Sequence, residues 1–377
     1  MSSGSQVAER AAEESVLEQL CATLFASLPR HDQRRKGVEY LTGLLRATGR
    51  KSIRNIALAI GDQATEQYLH HFICDSTWEA VPVRRALAEH VWRVAPPRAW
   101  VVRPLLIPKA GRHSVGVGKR FAPDLGHTLN AQQALGVWSA AEELTAPVDW
   151  RLRLSPAWVG DAGRRSRAAI PDGVRAESLL ECGVEAYLGV ARFRDRPLVI
   201  DARGHDVSTA LTRLRRAGAP LLMRVSGTHR FTAPLLGQDP LPARQIMSAL
   251  HAARRPVAGR WPLLAATTRV TATDSDDLLL LGVGPAGHTW PTQLWLSNQP
   301  DIPAADLVRT SLLLTRVDHD FTRYADRAGT RDFTGRSFAG WHRHMTLASA
   351  AHTILATAEA LTSPRPVTLP QQRTWHP

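Results

Sequence analysis

The chain has 377 residues, 44% of them hydrophobic and 21% charged, and a net charge of +13. That length allows two or three domains, the lack of any 18-residue apolar run excludes a helical membrane span, and three distant cysteines (Cys21, Cys74, Cys182) exclude a disulfide framework and a cysteine zinc site. The basic excess is almost wholly Arg, the side chain suited to bidentate phosphate contact, and favours a polyanionic partner such as DNA.

The first residues, MSSGSQVAERAAEES, lack the basic-then-apolar layout of a secretory signal, so a cytoplasmic, nucleoid-associated protein is expected. An amphipathic helix is predicted over 9–28, with Val16, Leu20 and Leu24 on one face and Leu17, Cys21 and Leu28 beside them. Arg30–Lys36 (RHDQRRK) reads as a basic connector into a second helix, with Tyr40, Leu41, Leu44 and Leu45 inward and Gly49 at its end. Ser52 caps a short helix, Ile53–Ile60. A tight turn at Gly61–Asp62 leads to a helix over Ala64–Ile73, and Ser76 starts another through Val83, Leu87 and Val91. The pair around Gly61 has the layout of a helix-turn-helix, which would set Arg50, Lys51 and Arg54 on phosphates; the same layout serves an all-helical domain packed on its neighbour.

Pro96–Pro97 marks a domain boundary. Beyond it Ala99–Val102 reads as a buried strand stopped by Pro104, and Ser114–Phe121 as a second short strand after a basic turn, the two forming a hairpin. Further strands are expected at Thr128–Trp138, Val148–Leu154, Pro197–Asp201 and Pro220–Val225, with helices at Ser178–Val190 and Val207–Ala217. Residues 226–300, rich in Pro, Gly, Thr and Trp, read as a β-rich insertion. Asp301–Ile302–Pro303 opens a long helix to Ala328, Trp341–Leu361 is the last helix, and the tail from Ser363 is loose. The expected division is a helical, DNA-binding 1–95, a core split into 96–225 and 301–362, the insertion 226–300, and the tail 363–377.

An opening strand hairpin, a strand ending on Asp201 and a long helix after an insertion together describe an α/β, RNase H-like mixed sheet. Phosphoryl transfer on such a core needs three carboxylates around two divalent cations. Asp201 at a strand end and Asp318 in the long helix fill two places; Asp320 beside it projects to another face. The first place, on the first strand, holds Arg103, whose fixed positive charge repels a metal and pairs instead with an acid. The chain carries neither a Gly-rich phosphate loop ending in Lys and Ser/Thr nor a G-x-S-x-G elbow.

Several stretches in order resemble insertion-sequence transposases of the DDE superfamily, the 701-type group: Arg30–Lys36 with Tyr40–Leu45, Gly49–Ile60, Gln67–Trp78, Pro108–Val117, Asn130–Trp138, Trp150–Asp161, Leu198–Ala202, Leu294–Gln299 and Gly335–Thr346. The resemblance covers roughly residues 25–360. It implies an Asp pair where Arg103–Pro104 stands, the second Asp at Asp201, a Glu at Asp318 and a DNA-steadying Lys at Ala325. One metal ligand is thus replaced, one shortened and an accessory base removed. The resemblance implies an RNase H-like fold, a DNA partner, a possible homodimer, and Mg2+ or Mn2+ as cofactor only if cleavage persists.

The expected protein is therefore a domesticated, cleavage-deficient DNA binder. Its phosphate contacts would be Arg34, Arg35, Lys36, Arg50, Lys51, Arg54, Lys109, Lys119, Arg120, Arg336, His342 and Arg343. Two other outcomes stay open: an active enzyme with Asp124 or Asp161 as substitute acid, and a core pocket turned over to a small anionic ligand or a biosynthetic reaction.

Overall fold

A computed structural model describes residues 3–61, 65–190, 195–257, 263–272, 277–287 and 289–362. The tail 363–377 and Asp62 of the expected tight turn lie outside the described residues.

The helical N-terminal part consists of α1 (Ser3–Leu24), α2 (His31–Arg46), α3 (Ile53–Ile60), α4 (Thr65–His70) and α5 (Ala80–Val94). Arg30–Lys36 is not a connector: all but its first residue belong to α2, because Gln33, Lys36 and Gly37 face inward and need the helical spacing. Ser52 caps α3 as expected, accepting from the Asn55 N–H, and Gly61 ends it in the left-handed conformation that glycine adopts without steric cost. α4 runs on into a wider π turn at His71–Asp75.

The strands are β1 (Ala99–Pro108), β2 (Gly118–Ala122), β3 (His127–Ala140), β4 (Thr145–Arg153), β5 (Leu198–Asp201), β6 (Leu221–Val225), β7 (Arg230–Phe231), β8 (Leu241–Pro242), β9 (Arg255–Val257), β10 (Leu263–Val270), β11 (Leu278–Pro285) and β12 (Gln293–Ser297). Between β4 and β5 lie α6 (Pro156–Val159), α7 (Ala162–Ala168) and α8 (Leu179–Gly189). α9 (Ser208–Arg216) joins β5 to β6, α10 (Ala243–Ala249) follows β8, and α11 (Ala304–Tyr324) and α12 (Phe338–Thr362) close the chain.

One sheet runs β2-β3-β1-β5-β6-β12-β11-β10-β9, and β4 also pairs with β3. β1, β5 and β6 are parallel neighbours; β3 and β12 join antiparallel on either side. This mixed sheet, with crossover helices α8 and α9 and a late helix α11, is the expected RNase H-like core. Two details differ from the sequence expectation. β1 continues through Pro104 to Pro108, because the Trp100 N–H points at Pro197 of the β5 segment and alternation puts the nitrogen of residue 104 on that same side, beyond the last β1–β5 pair at Val102–Ile200. The proline therefore removes no ladder bond. β2 does not pair with β1; β3 lies between them, with β2 on His127–Ala131 and β4 on Gln133–Ala140 along its outer edge. Residues 226–300 are β-rich as expected, and β12 extends the core sheet directly from β6.

Val102 and Ile200 lie against Gly183 of α8, so the alternate residues of β1 and β5 face the opposite layer, occupied by α11. On that layer Gly136 leaves the space that the Trp150 indole fills, and Trp150 Nε1 donates to Ser349 Oγ of α12 at 2.8 Å. α12 is buried along most of its length, against α1, α2, α5 and β4. This helix is buried on nearly every side, polar residues such as His344, Ser349 and His352 included, and the continuous core runs from Val16 through the sheet to Ala356.

A Cβ at Gly136 would sit 2.8 Å from the Trp150 ring. Gly136→Val should therefore cost about 1–3 kcal/mol by overpacking, read as a lowered urea midpoint at unchanged slope. On α12, burial holds the His344 and His352 imidazoles down to about 4. The unfolded chain titrates them near 6.5, so between pH 6.5 and 4 it binds more protons than the fold. Their contribution is intact above pH 6.5 and falls as pH drops toward 4. Urea midpoints at pH 7 and 5 should show this loss, and His344→Gln should flatten it.

Candidate functional site

The parallel register fixes the centre. Val102 pairs with Ile200 and Asp201 with Arg224, so Arg103, Asp201 and Arg224 project from three adjacent strands onto the α11 side of the sheet. Arg103 Nε donates to Asp318 Oδ1 of α11 at 2.7 Å and Nη1 to its neighbour's Pro104 carbonyl at 3.0 Å. Its guanidinium stacks 3.8 Å from the centre of the Phe321 ring, one helical turn beyond Asp318. Arg103 is the more sheltered partner, with 18% of its side chain exposed against 56% for Asp318.

Asp201 has other partners. Arg203, two residues on, donates through Nε to Oδ1 at 3.0 Å and through Nη2 to Oδ2 at 2.7 Å, and its backbone N–H also reaches Oδ1. Arg224 Nη1 stands 3.8 Å from the same carboxylate. Pairing with Asp201 holds the Arg203 guanidinium above its ordinary pKa, while burial and neighbouring Arg203 push Arg224 below its own.

This donor set does not fit a two-cation centre. Two hard divalent cations bring four positive charges for acids to offset; here two carboxylates are already paired with or faced by three guanidiniums, which cannot ligate a metal and repel it. Among the described residues no three His, Cys, Asp or Glu side chains form a metal-holding group. Asp320 is turned into the core, accepting from Arg316 Nε at 2.7 Å and Thr145 Oγ1 at 2.9 Å. Asp161 caps α7, taking the Arg164 N–H at 2.9 Å. The side chain of Asp124 lies outside the described residues.

The expected phosphate contacts divide into two groups. Arg35, Arg50, Arg54, Lys119 and Arg336 are exposed. Arg34 is exposed too, with its guanidinium on the Leu28 and Pro29 carbonyls. Arg120 on β2 is half-buried, its Nε and Nη2 without partners among the described residues and its pKa lowered by burial and Arg153. The others need correcting. Lys36 is buried between Asp32, at 3.5 Å, and the Tyr68 ring. Lys51 is buried with its ammonium on the Ala47 carbonyl, and burial lowers its pKa. Lys109 donates to the Phe333 carbonyl at 2.5 Å, and burial brings its pKa down to about 8. His342 meets Arg84 at 2.6 Å and is held well below its ordinary pKa by burial. Arg343 is buried, donating to the Trp78 and Ile73 carbonyls. Each packs its stem inward; Lys51, Lys109 and Arg343 end on carbonyls, Lys36 on Asp32 and His342 on Arg84.

Arg203 and Arg224 were not anticipated from sequence. Arg203 lies two residues from a noted acid, which was the available signal; Arg224 becomes visible only through the β5–β6 register.

The sheet order, with parallel β1, β5 and β6 flanked by antiparallel β3 and β12 and α11 packed on one face, defines an RNase H-like core. The family model described as DDE superfamily endonuclease matches residues 23–276, more than half of the chain, and the chain belongs to that family. A search of curated proteins returns no match.

Two neighbouring acids of α11 should respond differently to removal. Asp318→Ala breaks a half-exposed pair and should cost at most about 1 kcal/mol. Asp320→Ala leaves Arg316, only 8% exposed, without its partner and should cost about 3–5 kcal/mol. Urea denaturation of the two variants checks the order.

Proposed function

We propose that this chain is a transposase-like DNA-binding protein that has lost strand cleavage. Family membership supports DNA as the partner, as does the +13 net charge with exposed arginines on the helical N-terminal part. The observation that carries the loss of cleavage is Arg103, paired with Asp318 where a metal-binding acid is expected. The Arg203 clamp on Asp201 adds to it. In this proposal residues 1–95 form the DNA-reading domain, 96–225 and 301–362 the inactive core, and the protein works on the nucleoid.

Fluorescence anisotropy with duplex DNA tests the binding. With about six phosphates neutralised, affinity should fall on the order of 10³-fold between about 50 and 200 mM salt, as counterions are released. No binding at low salt would overturn it. Supercoiled plasmid with Mg2+ or Mn2+ tests the silence: nicking should not exceed that of the Asp201→Ala/Asp318→Ala double variant. Metal-dependent nicking that this variant abolishes would return the chain to the active enzymes.

A further inference from the structure

Among the described residues three guanidiniums, Arg103, Arg203 and Arg224, share the sheet centre with two carboxylates, Asp201 and Asp318, one positive charge more than the acids. Arg224 carries the excess. Its Nη1 stops 3.8 Å from Asp201, beyond hydrogen-bond reach, and among the described residues its guanidinium meets no acceptor at hydrogen-bond distance. Its side chain is 22% exposed, and the face of Trp295 lies 6.0 Å away. Its donors therefore face solvent from a largely buried stem, where an anionic acceptor can take them in a charge-assisted fork. Arg203 turns Nε and Nη2 to Asp201, leaving the Nη1 donors, and half of its side chain faces solvent. Both groups stand at the carboxyl end of the parallel pair β5–β6 or just beyond it, the edge where open α/β sheets place ligands.

We propose that this centre is a metal-free phosphate seat, in which Arg203 and Arg224 hold the oxygens of one DNA backbone phosphate. The proposal rests on the DNA-binding function above and locates one of its contacts. Asp201 and Asp318 then serve as anchors that aim guanidiniums, not as ligands that gather cations. A guanidinium keeps its charge at every relevant pH and offers a planar fork matched to phosphate. The seat therefore needs no divalent ion from solution.

Two probes separate the seat from the DNA-binding function. Duplex DNA binding is measured in EDTA across a salt series for the wild type, Arg203→Ala/Arg224→Ala, Arg224→Lys and Arg255→Ala, the last removing a charge on β9 at the far edge of the sheet. Thermal melting is followed with millimolar inorganic phosphate against chloride at matched ionic strength, and the same melts without phosphate show that each variant folds. The double variant should lose roughly tenfold in DNA affinity and about one unit of salt slope, and the stabilisation by phosphate should vanish. Arg224→Lys, which keeps the charge without the fork, should lose most of the phosphate effect, and Arg255→Ala should change little. DNA binding by the double variant with wild-type affinity and slope overturns the seat, as does a several-fold gain in wild-type affinity when Mg2+ replaces an equal ionic strength of NaCl. Phosphate stabilisation that depends on Arg203 and Arg224 in a protein that binds no DNA would keep the seat and overturn the DNA-binding function alone.

Discussion

The charge at position 103 decides the character of the whole core. β1 lies between β3 and β5, and its residue 103 points at the middle of α11. A carboxylate there would repel Asp201 and Asp318 and require a cation among them. A guanidinium removes that requirement: it pairs with Asp318, lies flat on Phe321 and helps fasten α11 to the sheet. The aromatic contact is worth about 1 kcal/mol, so Arg103 helps hold the helix as well as pairing with its acid. Asp201 likewise meets guanidiniums, Arg203 just past the end of its own strand and Arg224 on the neighbouring one.

Much of this was legible in the sequence. Asp201 was readable as a strand end because an apolar run stops on it, and Asp318 because the long helix has a clear start and a clear period. Ser52 and Gly61 announced the two ends of α3. Other features were hidden for physical reasons. Pro104 reads as a strand stop unless the neighbouring strand is known to have ended. The order β2-β3-β1 depends on pairing, which composition does not encode. Net charge says nothing about where an individual ammonium goes: of the four lysines, Lys36 and Lys51 are buried and Lys109 ends on a carbonyl, leaving Lys119 exposed. The cationic surface is thus an arginine surface.

The helical N-terminal part and the core are joined through α12. Tyr40 of α2 reaches His344 at 2.8 Å, Arg84 of α5 reaches Thr346 at 2.9 Å, and Trp150 of β4 reaches Ser349 at 2.8 Å. Three elements distant in sequence therefore meet successive turns of one buried helix. The His344 imidazole is also bonded to the Gly329 carbonyl, in the segment between α11 and α12, so the two late helices share a polar fastening within an apolar core. Such fully satisfied buried contacts specify one packing arrangement.

The attachment of β12 to β6 bears on how this lineage could shorten. A segment looped out from a finished sheet could be trimmed away at small cost. Here, removing residues 226–300 would strip β6 of its outer neighbour and expose a row of free backbone amides and carbonyls on an apolar strand, a template for self-association. The strands of 226–300 thus shield an edge that would otherwise invite other chains to pair with it.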